Sequence, residues 1–278
     1  MNTNRMALVT GSTDGLGRAV ARALAAQDFT VWVHGRDASR GDALVRELAA
    51  HGLRARFQRA DFASLAEVRA LAEAVRREAP RLDLLINNAG IGTTTPGRPP
   101  SRELSGDGHE LRFAVNYLSG YLLTALLLPV LRAGAPARIV NVASAGQYPI
   151  DFDNVMLGRA YSGMRAYAQS KLAQVLFTLD LAERLRGTGV TVNCLHPATY
   201  MDTTMVHAMG VTPASTVEEG TAAVVRLACA PELAATSGEY FNGLEPARAH
   251  AQAYDATARK RLAETSARLA PSAADATA

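Results

Sequence analysis

Thr10-Gly11-Ser12-Thr13-Asp14-Gly15-Leu16-Gly17 is the stretch whose reading decides the fold. The apolar run Met6-Ala7-Leu8-Val9 precedes it, and Arg18-Ala19-Val20-Ala21-Arg22-Ala23-Leu24 follows with apolar residues at helical spacing. A strand that enters a glycine-rich turn and leaves as a helix presents first-turn amides and the positive end of a helix dipole to what lies beyond. An anion, above all a dinucleotide phosphate, is stabilised there. Gly11 can make the turn, and Gly15 and Gly17 permit close approach by phosphate and sheet. Ser12, Thr13, Asp14 and Leu16 complete the candidate contact set.

Outward from this turn, short apolar runs alternate with longer helical ones. Strands are expected at residues 6–10, 30–34, 55–59, 82–87, 137–142, 190–195 and 238–241, with helices between them. That alternation predicts an α/β fold of three layers, a mostly parallel, doubly wound sheet covered by helices on both faces. One catalytic domain is expected over 1–247, with a helical extension at 248–270 packed on it. Residues 271–278, rich in small side chains, read as a disordered tail.

Composition narrows the function. Twenty-nine Lys and Arg stand against 26 Asp and Glu, and the two signs are interspersed, which argues against a nucleic-acid partner. Cys194 and Cys229 are the only cysteines, and two reduced thiols in a cytoplasmic protein are the expectation. The start shows no leader pattern. The most apolar stretch, 117–131, reads as too short for a membrane span. His34, His51, His109, His196, His207 and His250 are dispersed without zinc-like spacing, so no metal site is expected.

The end of the second strand bears on cofactor choice. It reads Val33-His34-Gly35-Arg36-Asp37, with no carboxylate beside Gly35, and Arg36 is placed to pair with a 2'-phosphate. That favours NADP(H). Asp37 is the counterargument, because a one-residue shift would make it a ribose acceptor. Asp61-Phe62, after the third strand, faces the adenine region. Asn87-Asn88-Ala89-Gly90 ends the fourth strand where small residues let the chain pass close to a ligand.

The chemistry is carried by Tyr167 and Lys171, which share one helical face four residues apart. A phenol near its reference pKa of ~10 is a reluctant base, and a neighbouring ammonium favours its ionised form. Lys171 can also reach ribose hydroxyls. Ser144 follows the fifth strand in Val142-Ala143-Ser144-Ala145-Gly146 and can orient a substrate oxygen toward Tyr167. Asn116, an amide amid apolar helical neighbours, is suited to hold a water.

With these residues in view, the chain resembles the short-chain dehydrogenase/reductase family over nearly its whole length. The shared motifs are Thr-Gly-xxx-Gly-x-Gly at 10–17, Asn-Asn-Ala-Gly at 87–90 and Tyr-xxx-Lys at 167–171. The resemblance implies a Rossmann fold, proton relay through Asn116 by a distorted backbone, substrate polarisation by Ser144, acid/base work by Tyr167 and ribose binding by Lys171. It also implies a homodimer or homotetramer through the helices that carry Asn116 and Tyr167. Ile150-Asp151-Phe152-Asp153 and the residues around Tyr167 look most like the retinol dehydrogenase and WW-domain oxidoreductase-like branch. That branch implies NADP and lipophilic carbonyl or alcohol substrates. His196-Pro197-Ala198-Thr199 departs from the family's usual Pro-Gly at the nicotinamide end, where Pro197, Ala198 and Thr199 are expected to line the cofactor.

Candidate substrate contacts are Gln147, Tyr148, Tyr161, Tyr200 and Met205, a largely apolar set. The expected activity is an NADP-dependent carbonyl reductase on a lipophilic or secondary-metabolite substrate. An epimerase or dehydratase on the same fold, and a cofactor-sensing protein without turnover, are the alternatives.

Overall fold

The computed structural model describes residues 5–94 and 101–271. Strands β1 (Arg5–Val9), β2 (Phe29–Gly35), β3 (Ala55–Arg59), β4 (Leu84–Asn87), β5 (Ala137–Val142), β6 (Val190–His196), β7 (Tyr240–Asn242) and β8 (Glu245–Ala247) form one sheet. Their order is β3-β2-β1-β4-β5-β6-β7-β8, with seven parallel strands and β8 antiparallel at the edge. The chain leaves β1 to one side and returns at β4 on the other, so the order reverses between β1 and β4. Their carboxyl ends diverge into the crevice where such sheets bind ligands.

Apolar residues alternate between two cores, as pleated strands covered on both faces require. Ala7, Val9, Leu84 and Ile86 point toward α1 (Gly15–Ala25), α2 (Ala38–Ala50) and α8 (Val217–Cys229). Met6, Leu8, Leu85 and Ile139 point toward α3 (Leu65–Glu78), α4 (Leu111–Phe113), α5 (Ser119–Ala133), α6 (Gly163–Arg184) and α9 (Ala256–Leu269). Asp14, Asp37, Ser64, Ser162 and Thr216 each cap a helix with a side-chain oxygen. Between β6 and α8, the short helix α7 (Thr204–Ala208) was not anticipated by the sequence pattern.

Three expectations are corrected. The helix holding Asn116 begins at Leu111, because a π-helical turn at Ala114–Leu118 joins α4 to α5 without a break. The resulting Leu111–Ala133 helix has 23 residues and is long and apolar enough to cross a membrane, contrary to the sequence reading; 78% of its most apolar window is buried here. The C-terminal stretch is not one helix. A 3-10 turn at Ala251–Tyr254 precedes α9, and Asp255 breaks the two by capping α9 through the Thr257 amide (2.8 Å). Finally, β8 pairs back on β7 with Asn242 opposite Glu245. Gly243 takes φ +60° as the first of the two loop residues Gly243-Leu244, so a glycine opening a two-residue turn was the available hairpin signal.

Beyond β8 the chain returns to the core. Ala258 and Leu262 of α9 join the apolar cluster beneath α5 and α6, and the Tyr117 and Ser266 hydroxyls lie 2.6 Å apart. Of the expected disordered tail, residues 272–278 lie outside the described residues.

Candidate active site

The glycine turn is pressed onto the end of β4. A methyl on Gly11 (φ +63°) would sit 2.8 Å from Ala89 Cα, and one on Gly17 would sit 2.2 Å from the Gly11 carbonyl oxygen. Neither neighbour is a yielding side chain, so both positions require glycine. The Thr10 hydroxyl accepts from the Asn88 and Ala89 amides (2.9 and 3.0 Å), and Asn88 Nδ2 donates to the Thr10 and Gly11 carbonyls (2.8 and 3.1 Å). Asn88, a candidate cofactor contact, therefore spends its amide donor on shaping the turn. Ser12 is engaged likewise: its buried hydroxyl donates to Val9 O (2.7 Å) and its amide to His34 O (2.8 Å). Thr13, Asp14, Gly15, Leu16 and Gly17 form the exit into α1, where Asp14 accepts from the Gly15 amide (2.8 Å).

His34 was missed as a shaping residue. Its Nδ1 accepts from the Gly11 amide (3.1 Å), and Nε2 lies 3.1 Å from Ala60 O. Its ring stacks on Phe62 at 4.3 Å. Burial pushes its pKa down to about 4, so the neutral ring joins the turn to the ends of β2 and β3. Asp61 receives the Ala63 amide on one carboxylate oxygen (2.9 Å).

At the end of β2 the two rival residues separate. Arg36 is exposed, and its guanidinium pairs with no acidic group among the described residues. Asp37 caps α2 by accepting from the Arg40 amide (3.1 Å), and Arg40 Nε lies 3.5 Å from its other oxygen. Arg40 Nη1 also lies 3.2 Å from Asp14. Arg40, which sequence reasoning overlooked, thus occupies both carboxylates nearest the turn.

The candidate chemical residues meet where the π-turn, α6 and the end of β5 come together. A methyl on Gly146 would sit 3.5 Å from Ser144 Oγ and 3.9 Å from Tyr167 Cε1, so the two side chains converge, and the Ser144 hydroxyl opposes the rise that burial imposes on the Tyr167 pKa. Lys171 is buried, with Nζ donating to Val142 O (2.8 Å) and Gln174 Oε1 (3.0 Å) and lying 5.8 Å from the Tyr167 ring centre. Burial lowers its pKa to about 7. A methyl on Gly90 would sit 3.3 Å from Asn116 Oδ1 and 3.6 Å from Lys171 Nζ. Asn116 lies within the π-turn; its Oδ1 accepts from Ile91 N (2.7 Å) and its Nδ2 donates to Ser170 Oγ (2.9 Å). Ser170 in turn donates to Tyr167 O (2.7 Å). Gln174 and Ser170 were not singled out from sequence, although each stands three residues beyond a chosen one on the same helix.

The loop after β6 closes the crevice from above. Pro197 is buried and Ala198 half-buried, while Thr199 is exposed with its carbonyl held by Ser215 Oγ (2.6 Å). A methyl on Gly15 would meet Thr203 Cγ2 at 3.2 Å, and one on Gly92 would meet Met205 Cγ at 3.3 Å and Met209 Sδ at 3.4 Å. Helix α7 therefore reaches from the glycine turn to the loop after β4. Tyr200 holds φ +46°, a conformation costly for a non-glycine residue, and its hydroxyl acts electrostatically on Tyr167. Tyr148 is exposed at the rim, with Arg165 stacked 5.4 Å from its ring centre.

Two substrate candidates take other roles. The Tyr161 hydroxyl donates to Glu110 (3.2 Å), beside Arg112, whose guanidinium is buried and donates to Gly92 O (3.2 Å). The Gln147 amide is bound at both ends, donating to Ser144 O (2.8 Å) and accepting from His250 N (2.7 Å). Neither signal is local, so neither was visible in the sequence.

The short chain dehydrogenase family model matches residues 5–214. The chain belongs to that family. Retinol dehydrogenase 13 from Homo sapiens is 37% identical over 284 residues, covering 94% of this chain and 83% of the relative. The polyprenol dehydrogenase of Mus musculus is 38% identical over 278 residues, with 93% and 81% covered. Among solved structures, an uncharacterized protein from Mycobacterium paratuberculosis superposes with TM-score 0.79 at 30% identity, covering 96% of this chain and 93% of that one. A Burkholderia cenocepacia short chain dehydrogenase in complex with NADP gives TM-score 0.70 at 29% identity, covering 86% and 95%.

This member of the short-chain dehydrogenase family is an oxidoreductase with an NAD(P)-type cofactor. The geometry suits that group: a cradle at Gly11 and Gly17 that a Cβ would fill, first-turn amides of α1, and an exposed Arg36 beyond it. Retinol and polyprenol, named in two relatives, are lipid alcohols. These relatives and the Leu111–Ala133 helix, which is long and apolar enough to cross a membrane, overturn the sequence-based expectation of no membrane span.

Proposed function

We propose that this oxidoreductase uses NADP(H) to interconvert a lipophilic alcohol and its aldehyde or ketone, acting as a carbonyl reductase when NADPH is in excess. The observation that carries the reading is the convergence of Ser144 and Tyr167 beside Gly146, with Lys171 Nζ 5.8 Å from the Tyr167 ring centre and the glycine turn across the crevice. First-turn amides of α1 would hold the pyrophosphate, Arg36 the 2'-phosphate, Asp61 the adenine and Lys171 the nicotinamide ribose. When bound, the reduced nicotinamide supplies the hydride that the carbonyl carbon accepts.

The chain's own residues manage the oxygen. The Ser144 hydroxyl donates to the carbonyl oxygen and orients it. Tyr167 Oη gives its proton to that oxygen as negative charge develops there. The Lys171 ammonium then faces the phenolate, which it stabilises by charge. Asn116 ties Ile91 to Ser170, and the π-widened backbone around it is the reading's place for a relay water. Tyr148, Tyr200 and Met205 give the entrance an aromatic and thioether lining suited to an apolar chain.

The test is NADPH consumption against product formed with decanal, retinal and an aryl ketone. Tyr167→Phe should cut turnover by about a hundredfold or more, the range of lost general acid catalysis, while NADPH still binds. Near-normal turnover removes Tyr167 as the acid. Product without net NADPH consumption would replace reduction by epimerisation or dehydration.

A further inference from the structure

The turn that carries Ser144 has no regular secondary structure between Ala143 and Ile150, so its shape depends on side chains. On one side it is tied to α6, the helix of Tyr167: the Tyr148 amide donates to Ala168 O (3.3 Å), and the Asp151 amide donates to Gln169 Oε1 (3.1 Å). On the other side it is tied to the C-terminal segment. Gln147 Nε2 donates to Ser144 O, and its Oε1 accepts from the His250 amide. His250 Nδ1 accepts from the Gln252 amide (3.1 Å). Gln252 closes the circuit, with Oε1 accepting from Ile150 N (2.7 Å) and Nε2 donating to Ile150 O (3.1 Å). Tyr240 Oη adds a second donor to Ser144 O at 3.3 Å.

We propose that Gln147 is a positioning residue for Ser144, anchored by a strap formed from the backbone of His250 and the side chain of Gln252. Ser144 must aim one hydroxyl at both Tyr167 and a substrate oxygen, and a carbonyl pinned from two directions limits how far its turn can rotate. The strap lies wholly beyond the 5–214 stretch that the family model matches. Residues 248–252 thereby reach the reacting centre without touching substrate. The effect on catalysis rests on the activity proposed above, whereas the strap itself does not.

Gln147→Glu is the sharp variant. It keeps an acceptor for His250 but turns an oxygen, not a donor, toward Ser144 O. Gln147→Leu removes both contacts, and Gln252→Leu removes the anchor. Hydrogen exchange over residues 143–150 of the cofactor-free protein is measured beside NADPH affinity, decanal turnover and the pH profile of decanol oxidation. All three variants should exchange faster in that segment, and turnover should fall about tenfold, ~1.4 kcal/mol, with NADPH affinity kept within about twofold. In decanol oxidation Tyr167 must act as the base, so the limb along which activity rises with pH should move to higher pH once a loosened Ser144 no longer opposes the rise that burial imposes on the Tyr167 pKa.

Unchanged exchange in Gln147→Glu and Gln147→Leu overturns the strap whatever the activity. Faster exchange with unaltered turnover and pH limb overturns the positioning role, as does a loss that only tracks melting temperature and NADPH affinity. If wild type turns over neither decanal nor decanol, the proposed activity on such substrates fails, and exchange alone then decides the strap.

Discussion

Replacing Arg36 by alanine separates the two cofactors, and the structure sets the size of the effect. Arg36 lies exposed at the end of β2 without an acidic partner among the described residues, so no internal ion pair must break before a phosphate binds. Charge-assisted hydrogen bonds are worth about 1.5–3 kcal/mol, and exposure to salt places this contact at the low end, roughly tenfold in affinity. Arg36→Ala should therefore weaken NADPH about tenfold at low ionic strength and less at high salt, leaving NADH within about twofold. Asp37→Ala is the internal control. Its carboxylate is engaged as the α2 cap, so its loss should cost ~1 kcal/mol of stability and leave NADH affinity intact. Fluorescence titrations at two salt concentrations, paired with denaturant melts, measure both. Equal losses of NADPH and NADH in Arg36→Ala, or a tenfold loss of NADH in Asp37→Ala, would refute the assignment.

Other outcomes follow from the same geometry. Tyr161→Phe should lower stability by about 1–2 kcal/mol, because a buried Glu110 oxygen loses its donor, yet leave kcat/KM for decanal nearly unchanged; a selective rise in KM would restore Tyr161 to the substrate site. Lys171 has a folded pKa of about 7 against 10.5 unfolded, so between those values the unfolded chain binds the extra proton and stability rises with pH. The unfolding free energy of wild type minus Lys171→Met should accordingly climb from pH 7 to 10, and parallel curves in urea melts would show that Lys171 carries no such burden. His34→Asn retains an acceptor near the position of Nδ1 and should bind NADPH better than His34→Leu, which leaves the Gly11 amide unpaired. Equal affinities would remove His34 from the support of the turn.

Much of the site was legible because its signals are local. The glycine turn is eight consecutive residues between two recognisable flanks, and Tyr167 and Lys171 face one way because α6 repeats every 3.6 residues. Strand β3 falls where the alternation placed it, and β5 as well. Asn116 was noticed as an awkward helical amide, but the π-turn that accommodates it depends on packing: Ser119 Oγ bridges Phe62 O (2.7 Å) and Ala114 O (2.9 Å). The apolar helix around it was judged too short because that π-turn hides its start at Leu111.

Sequence alone therefore determined the sheet-and-helix alternation, the glycine turn between β1 and α1 and the shared face of Tyr167 and Lys171, since each rests on turn chemistry or a period within a few residues. Tertiary structure alone decided which polar side chains near the crevice are engaged in holding the frame. Gln147 meets His250 across 103 positions of chain, and Tyr161 meets Glu110 across 51. A hydrogen bond is satisfied by whatever the fold brings within about 3 Å. No pattern of neighbours in sequence encodes that partner, so an exposed-looking glutamine or tyrosine in the neighbourhood of Ser144 gives no local sign that its polar groups are already engaged.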